Sequence, residues 1–174
     1  MHHFYQQELI MKNHCNGLVL AFFSVQAVAM NHGQHIGHNA NPTVFEQVTA
    51  NGITFSNFQA RASIGRMPNS GAYGEIRSTS IDRLIKAKSS AASVVELHEH
   101  INDHGVMRMR EVKTGLAINP STPTVMKPGG YHIMLIGLKA PLEAGTTIDL
   151  SLEFESGKTF DLTVPVVSIK TMHH

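Results

Sequence analysis

The stretch TIDLSLEFESGKTFDLTVPV, Thr147 to Val166, decides the fold. Ile148, Leu150, Leu152 and Phe154 alternate with polar residues, and so do Phe160, Leu162, Val164 and Val166. Side chains on a strand project to opposite faces with a period of two, so each run is a strand with one apolar face. Between the runs, Glu155-Ser156-Gly157-Lys158 makes a turn, and the whole stretch is a hairpin with one face for a core.

Outward from this hairpin, the same alternation recurs. A strand opens at Gly52 with Ile53, Phe55 and Asn57 on one face. Residues 72–79, 81–87, 93–100, 105–112 and 131–138 read as further short strands, separated by Ser, Asn, Gly and Pro. No stretch gives a long amphipathic helix, and no internal repeat or second domain is visible. Many short strands with regular turns predict an all-β chain, an antiparallel sandwich or barrel.

The chain has 174 residues, enough for about one domain. A net charge of +1 gives no bulk attraction to nucleic acid or to an anionic membrane. His 12 and Met 9, set against Cys 1 and Trp 0, point towards metal handling. Lys12, the apolar run from Gly17 to Val25 and then Ala27-Val28-Ala29 have the order of an export signal: a positive region, a short apolar region and a small-x-small cleavage site. The apolar run is shorter than the roughly 20 residues that span a bilayer. Residues 1–29 therefore read as a signal peptide, with Met11 as an alternative start, and the mature chain as periplasmic without stable membrane insertion. Cys15 precedes the apolar run and does not sit as a lipoprotein anchor; cleavage after Ala29 removes it, and with it all thiol chemistry. Residues 30–42 (MNHGQHIGHNANP, with His32, His35 and His38) read as a flexible tail, 43–168 as the domain and 169–174, with Met172, His173 and His174, as a second tail. The histidine-rich tails are candidates for loose capture of Cu(II).

The chemistry lies in two clusters. On a strand, His132 and Met134 project together while Tyr131, Ile133 and Leu135 face the other way. A lone His-x-Met is more often a core methionine beside a surface histidine. The second cluster changes that weighting. Glu96, His98 and His100 share one face, Met107 and Met109 share one face of the next strand, and the loop 101–104 is short enough for a hairpin. These pairs can converge as a site of two imidazoles and two thioethers, which suits Cu(I) and discriminates against zinc.

The stretches VELHEHINDHGVMRMREV (95–112) and KPGGYHIMLIGLKAPLEAGTTIDLSLEFESGKTFDLTVPV (127–166) resemble the PCu(A)C family of periplasmic copper chaperones. Gln59-Ala60-Arg61-Ala62 and Gly71-Ala72-Tyr73 resemble the start of its domain, so the likeness covers roughly residues 50 to 167. The family pattern places His98, Met109, His132 and Met134 as ligands. Phe58 stands where the family commonly has Trp, and His100 where it commonly has Met. His100, Met107 and His104 are auxiliary candidates; Met107 competes with Met109, and the spacing favours Met109. Met126 reads as core. The resemblance implies a cupredoxin-like Greek-key β-sandwich with a surface-exposed Cu(I) site. It also implies delivery of copper by ligand exchange to an acceptor, the dinuclear copper centre of cytochrome c oxidase subunit II or another copper chaperone.

A copper scavenger or buffer in copper resistance is the alternative. An electron-transfer cupredoxin would need a Cys thiolate, which the mature chain lacks. An enzyme is not expected: the sequence carries no nucleophile motif, carboxylate dyad or phosphate-binding glycine loop.

Overall fold

The computed structural model describes residues 44–168. The signal-peptide reading, Cys15, both tails and their histidines lie outside the described residues. Eleven strands run through the described part: β1 (Val48–Ala50), β2 (Ile53–Arg61), β3 (Asn69–Ser78), β4 (Asp82–Lys88), β5 (Ala92–Asp103), β6 (Val106–Glu111), β7 (Leu116–Ile118), β8 (Thr124–Met126), β9 (His132–Leu138), β10 (Thr147–Phe154) and β11 (Thr159–Val167). The all-β expectation holds: the described residues contain strands, turns and bends, with no helix.

One layer has the order β6-β5-β9-β3-β2, with β1 on β2 and β8 on β3; the other has the order β11-β10-β4-β7. A short parallel pairing, Val166↔Ala60 and Val167↔Arg61, joins them along one side. Strand β9 lies between β5 and β3, so strands close in space are distant in sequence.

The core forms where the apolar faces meet. Ile148, Leu150, Leu152, Phe154, Phe160, Leu162, Val164 and Val166 are all buried, as the alternation in the hairpin requires. From the first layer come Ile53, Phe55, Ala60, Ala72, Ile76, Leu97, Ile133 and Leu135. The layers lock through aromatic rings: Phe55 lies 4.9 Å from Phe160 and 6.2 Å from Phe154, centroid to centroid. Tilted and edge-on ring pairs each add about 0.5–1.5 kcal/mol beyond the area they bury. Met126 is in this core, as read from the sequence.

Three local readings are corrected. Asn57 does not continue the face of Ile53 and Phe55. It sits at φ 55°, exposed, where the β2–β3 register shifts between Ser56 and Gln59. That bulge resets the alternation, so Phe58 and Ala60 become the buried residues. Tyr131 does not face the core; it precedes β9, bridges Met126 and is exposed. The loop expected at 101–104 is tighter, because β5 runs on to Asp103, which pairs with Val106 across a turn of His104 and Gly105. Both turn residues have positive φ (50° and 87°), and the Gly105 amide donates to Asn102 Oδ1 at 2.7 Å. A two-residue turn with both central φ positive matches the twist of the flanking strands.

The turn of the decisive hairpin is held by a residue the sequence reading passed over. Asp82 is buried; its Oδ1 accepts from the Arg83 amide (2.8 Å) and the Ser156 amide (3.2 Å), and its Oδ2 from the Ser156 hydroxyl (2.6 Å). Burial pushes its pKa up, but these hydrogen bonds and the Lys158 ammonium outweigh that and hold it below the usual carboxylate range. Asp82→Asn keeps the size and loses the charge. It should destabilise the domain by about 1–3 kcal/mol near neutral pH. The deficit should shrink in acid, because the stabilisation from a depressed carboxylate is present above its unfolded pKa and lost as pH falls through the folded one. Urea unfolding of both proteins at neutral and acidic pH checks this; a deficit independent of pH would contradict it.

Phe58 packs flat over Gly74: a Cβ there would lie 2.5 Å from Phe58 Cδ2 and 2.6 Å from its Cγ. Gly74→Ala must push the ring out of a full core, at a cost of about 1–3 kcal/mol. An unchanged urea midpoint would show instead that the ring has room to move.

Candidate metal site

In an antiparallel pair, residues directly opposite each other point to the same face. Strands β5 and β9 pair with His98 opposite His132, Glu96 opposite Met134 and Leu97 opposite Ile133. Leu97 and Ile133 face the core, so His98, His132, Glu96 and Met134 face away from it. Strand β6 adds His100 opposite Met109 and Asn102 opposite Met107 on that same outer face. Strand β3 adds Gly71 opposite Met134, with Tyr73 two residues on. Four strands, distant from one another in sequence, thus deliver one cluster to one side of one sheet.

The imidazoles are close. The rings of His98 and His100 lie 5.7 Å and 5.0 Å from that of His132. Tyr73 stands on the other side of His132 at 6.2 Å. Its ring lies across Gly71, whose Cβ, if present, would meet the Tyr73 hydroxyl at 2.9 Å. The missing side chain at Gly71 is therefore what lets Tyr73 reach the site beside Met134. Burial raises the Tyr73 hydroxyl pKa, with the Arg61 guanidinium partly opposing it.

The Pro128-Gly129-Gly130 turn positions the rings. Gly129 takes φ 78°, and the Gly130 amide bonds back to the Lys127 carbonyl at 3.0 Å. The Gly130 carbonyl then faces the site, 3.1 Å from His132 Nδ1 and 3.4 Å from His100 Nδ1, and it also accepts the His100 amide at 3.2 Å. A carbonyl only accepts, so neutral His132 carries its proton on Nδ1 and its lone pair on Nε2. Burial is the largest influence on His132 and lowers its pKa; the Gly130 bond opposes this, while His100, His98 and Arg61 add to the lowering. The ring is thus held neutral, the form that binds a metal.

Exposure is graded across the cluster. His132 is 2% exposed and Met134 half-buried, while Met109 and Met107 on the outermost strand are 53% and 57% exposed. The expected surface-exposed site is open on its β6 side and closed around His132, because His98, His100 and Tyr73 stand against that ring. His100 lies within the cluster, nearer to the His132 ring than His98 does. His104 does not; it occupies the hairpin turn, its side chain 98% exposed and 3.8 Å from Asp103. Met107 is one step further along the face towards that turn than Met109. Sequence reasoning gave Tyr73 and Arg61 no role at the site; the spacing Arg61, Gly71, Tyr73 was visible, but the pairings that bring them to His132 were not.

Two features fit these residues to a soft metal ion. Among the described residues, no three His, Cys, Asp or Glu side chains gather closely enough to hold an ion by themselves, and the sulfur-bearing Met134 and Met109 lie on the same face as the imidazoles. In addition, Nδ1 of His98 is shielded from solvent and has no hydrogen-bond partner. A buried nitrogen left without a partner costs about 1–3 kcal/mol unless something else engages it.

The family model described as "Putative lipoprotein LpqE-like" matches residues 53–166, nearly all of the described strands. "Putative lipoprotein Lxx21020" of Leifsonia xyli subsp. xyli (strain CTCB07) is 40% identical over 119 residues, which are 67% of this chain and 70% of that protein. The uncharacterized protein RP573 of Rickettsia prowazekii (strain Madrid E) is 32% identical over 92 residues, 52% of this chain and 51% of that one. Among solved structures, the apo PmoF2 PCuAC domain superposes with a TM-score of 0.60 at 21% identity, covering 74% of this chain and 100% of that domain. The Cu(I) form of DR1885 from Deinococcus radiodurans does so with a TM-score of 0.50 at 26% identity, covering 78% of this chain and 85% of that one. The cupredoxin-like β-fold of the PCuAC domains is therefore the fold of this chain, and the chain belongs to the LpqE-like family.

Proposed function

We propose that this protein is an exported Cu(I) carrier. It takes copper on the outer face of the β6-β5-β9-β3 sheet and passes it on by ligand exchange. One observation carries the reading: the strand registers bring His98, His132, Met134 and Met109 to a single face, with His100 among them. Neutral imidazoles and thioethers form a soft set without a thiolate, which favours Cu(I) over zinc. The likeness to copper-bound PCuAC structures, and the lipoprotein names of the relatives, support metal binding and export.

The graded exposure suits transfer. His98, His132 and Met134 hold the ion from the inner side, and Met109 closes the set from the exposed edge. Each thioether bond is weak, so an acceptor bearing thiolates displaces Met109 first and the inner ligands afterwards. The acceptor we favour is the dinuclear copper centre of cytochrome c oxidase subunit II or another copper chaperone, which the PCu(A)C resemblance implies. The periplasm is the compartment this role requires.

X-ray absorption on the Cu(I)-loaded protein tests the site. Mixed sulfur and nitrogen scattering should lose its sulfur shell in the Met109→Ala, Met134→Ala double variant. Nitrogen-only scattering unchanged by the variant would sink the thioether site.

Titration of His132 gives a second test. Its folded pKa lies below its unfolded value of 6.5. The unfolded chain therefore takes up the proton first, and apo stability should fall as pH drops from about 6.5 through the folded pKa. Cu(I) binding needs the same ring neutral and should weaken over that range. The His132→Gln variant should lose this part of the slope in urea unfolding; an unchanged slope would show that His132 does not titrate as its burial requires.

A further inference from the structure

Glu96 stands opposite Met134 and two residues before His98, on the site face of β5. Its Oε2 lies 2.8 Å from Nε2 of His98. An ionised carboxylate only accepts, so Nε2 of neutral His98 must carry the proton and Nδ1 the lone pair. That same Nδ1 is the buried atom with no partner. His132 is arranged in the opposite sense, with Nδ1 bonded to the Gly130 carbonyl. The two imidazoles of the site are thus presented by different nitrogens, each fixed by an acceptor on the other ring nitrogen.

We propose that Glu96 is a positioning residue for the metal site: it locks His98 as the Nε2–H tautomer, so that copper is bound by Nδ1 of His98 and Nε2 of His132. This rests on the copper reading above and adds the residue that prepares one of its ligands. A histidine that ligates through one nitrogen commonly donates from the other to a carboxylate or carbonyl, which sets its tautomer and raises its basicity. Glu96 does this for His98, as the Gly130 carbonyl does for His132. The carboxylate bonds the side of His98 that carries the proton, so it serves the ring and leaves the lone pair to the ion. The neighbouring Glu99 is committed elsewhere; its Oε1 accepts from Arg110 Nη2 at 2.6 Å and Nε at 3.1 Å.

Nitrogen-15 NMR of the imidazoles reads the tautomer directly, first without copper and then with Cu(I). In the apo protein His98 should show a protonated Nε2 and an unprotonated Nδ1; on addition of Cu(I) the Nδ1 signal should move while Nε2 keeps its proton. Glu96→Ala should abolish the tautomer preference and weaken Cu(I) binding about 10–100-fold, measured by competition with a chromophoric chelator. Glu96→Gln retains a carbonyl acceptor and should keep both the tautomer and most of the affinity, and the folded dispersion of each variant's spectrum separates this effect from misfolding. A His98 protonated on Nδ1 in the apo protein, unchanged affinity in Glu96→Ala, or equal losses in Glu96→Gln and Glu96→Ala would overturn the role of Glu96. If the copper carries a sulfur shell, those failures leave the carrier reading standing; if the sulfur shell is absent, the copper reading fails and this assignment fails with it.

Discussion

The pairing of β5 with β9 is the constraint on which the rest of the molecule depends. Leu97 opposite Ile133 and His98 opposite His132 are adjacent rungs of one ladder, facing opposite ways. The first rung is packed into the core and the second is the centre of the candidate site. A slip of one residue would turn every side chain to the other face, putting imidazoles into the core and Leu97 on the surface. Burial of Leu97, Ile133 and Leu135 therefore sets the site's register as well as the fold's stability. Nothing on the polar face needs to hold the strands together, and its side chains are left for chemistry.

Around that ladder, small backbone devices aim the polar groups. The bulge at Asn57 shifts the alternation of β2, so that Phe58 and Ala60 fill the core while Gln59 and Arg61 turn towards the side that carries Tyr73. Gly71 leaves a gap that Tyr73 fills. The Gly129-Gly130 turn carries its carbonyl to two imidazole nitrogens. Each device is local and each works through backbone geometry, yet together they surround His132, whose burial lowers its affinity for protons against the opposing pull of the Gly130 carbonyl.

Much of this was legible in the sequence. Alternation with a period of two fixed the strands around 148–154 and 160–166, because one face is fully buried while the other is mostly open to solvent. It also placed His132 with Met134 and His98 with His100, since residues two apart on a strand cannot do otherwise. The pattern in β2 failed at Asn57, where an extra residue breaks the period without a Gly or Pro to announce it. The short strands β1, β7 and β8 have three residues each, too few for periodicity to register. The Ser156 partner of Asp82 is 74 residues away in the chain, and no local pattern points to it. The same holds for Arg61, Tyr73 and the Gly130 carbonyl: each residue was visible, but only the strand pairing says what it touches.

Strand β6 has every residue exposed and pairs with β5 alone. Its outward backbone groups are open to another strand, and the alternating cations Arg108 and Arg110 on it discourage stray pairing between copies. Its attachment is cheap to undo, because it contributes none of the buried side chains. Met109 therefore rides on a flap, whereas His132 is anchored in the wall behind it. Loosening of β6 alone would withdraw one sulfur while Leu97, Ile133 and the Phe55 cluster stay packed. On the proposed reading, the donor set would come apart from its outer edge inwards, at the expense of the β5–β6 ladder alone and without disturbing the core.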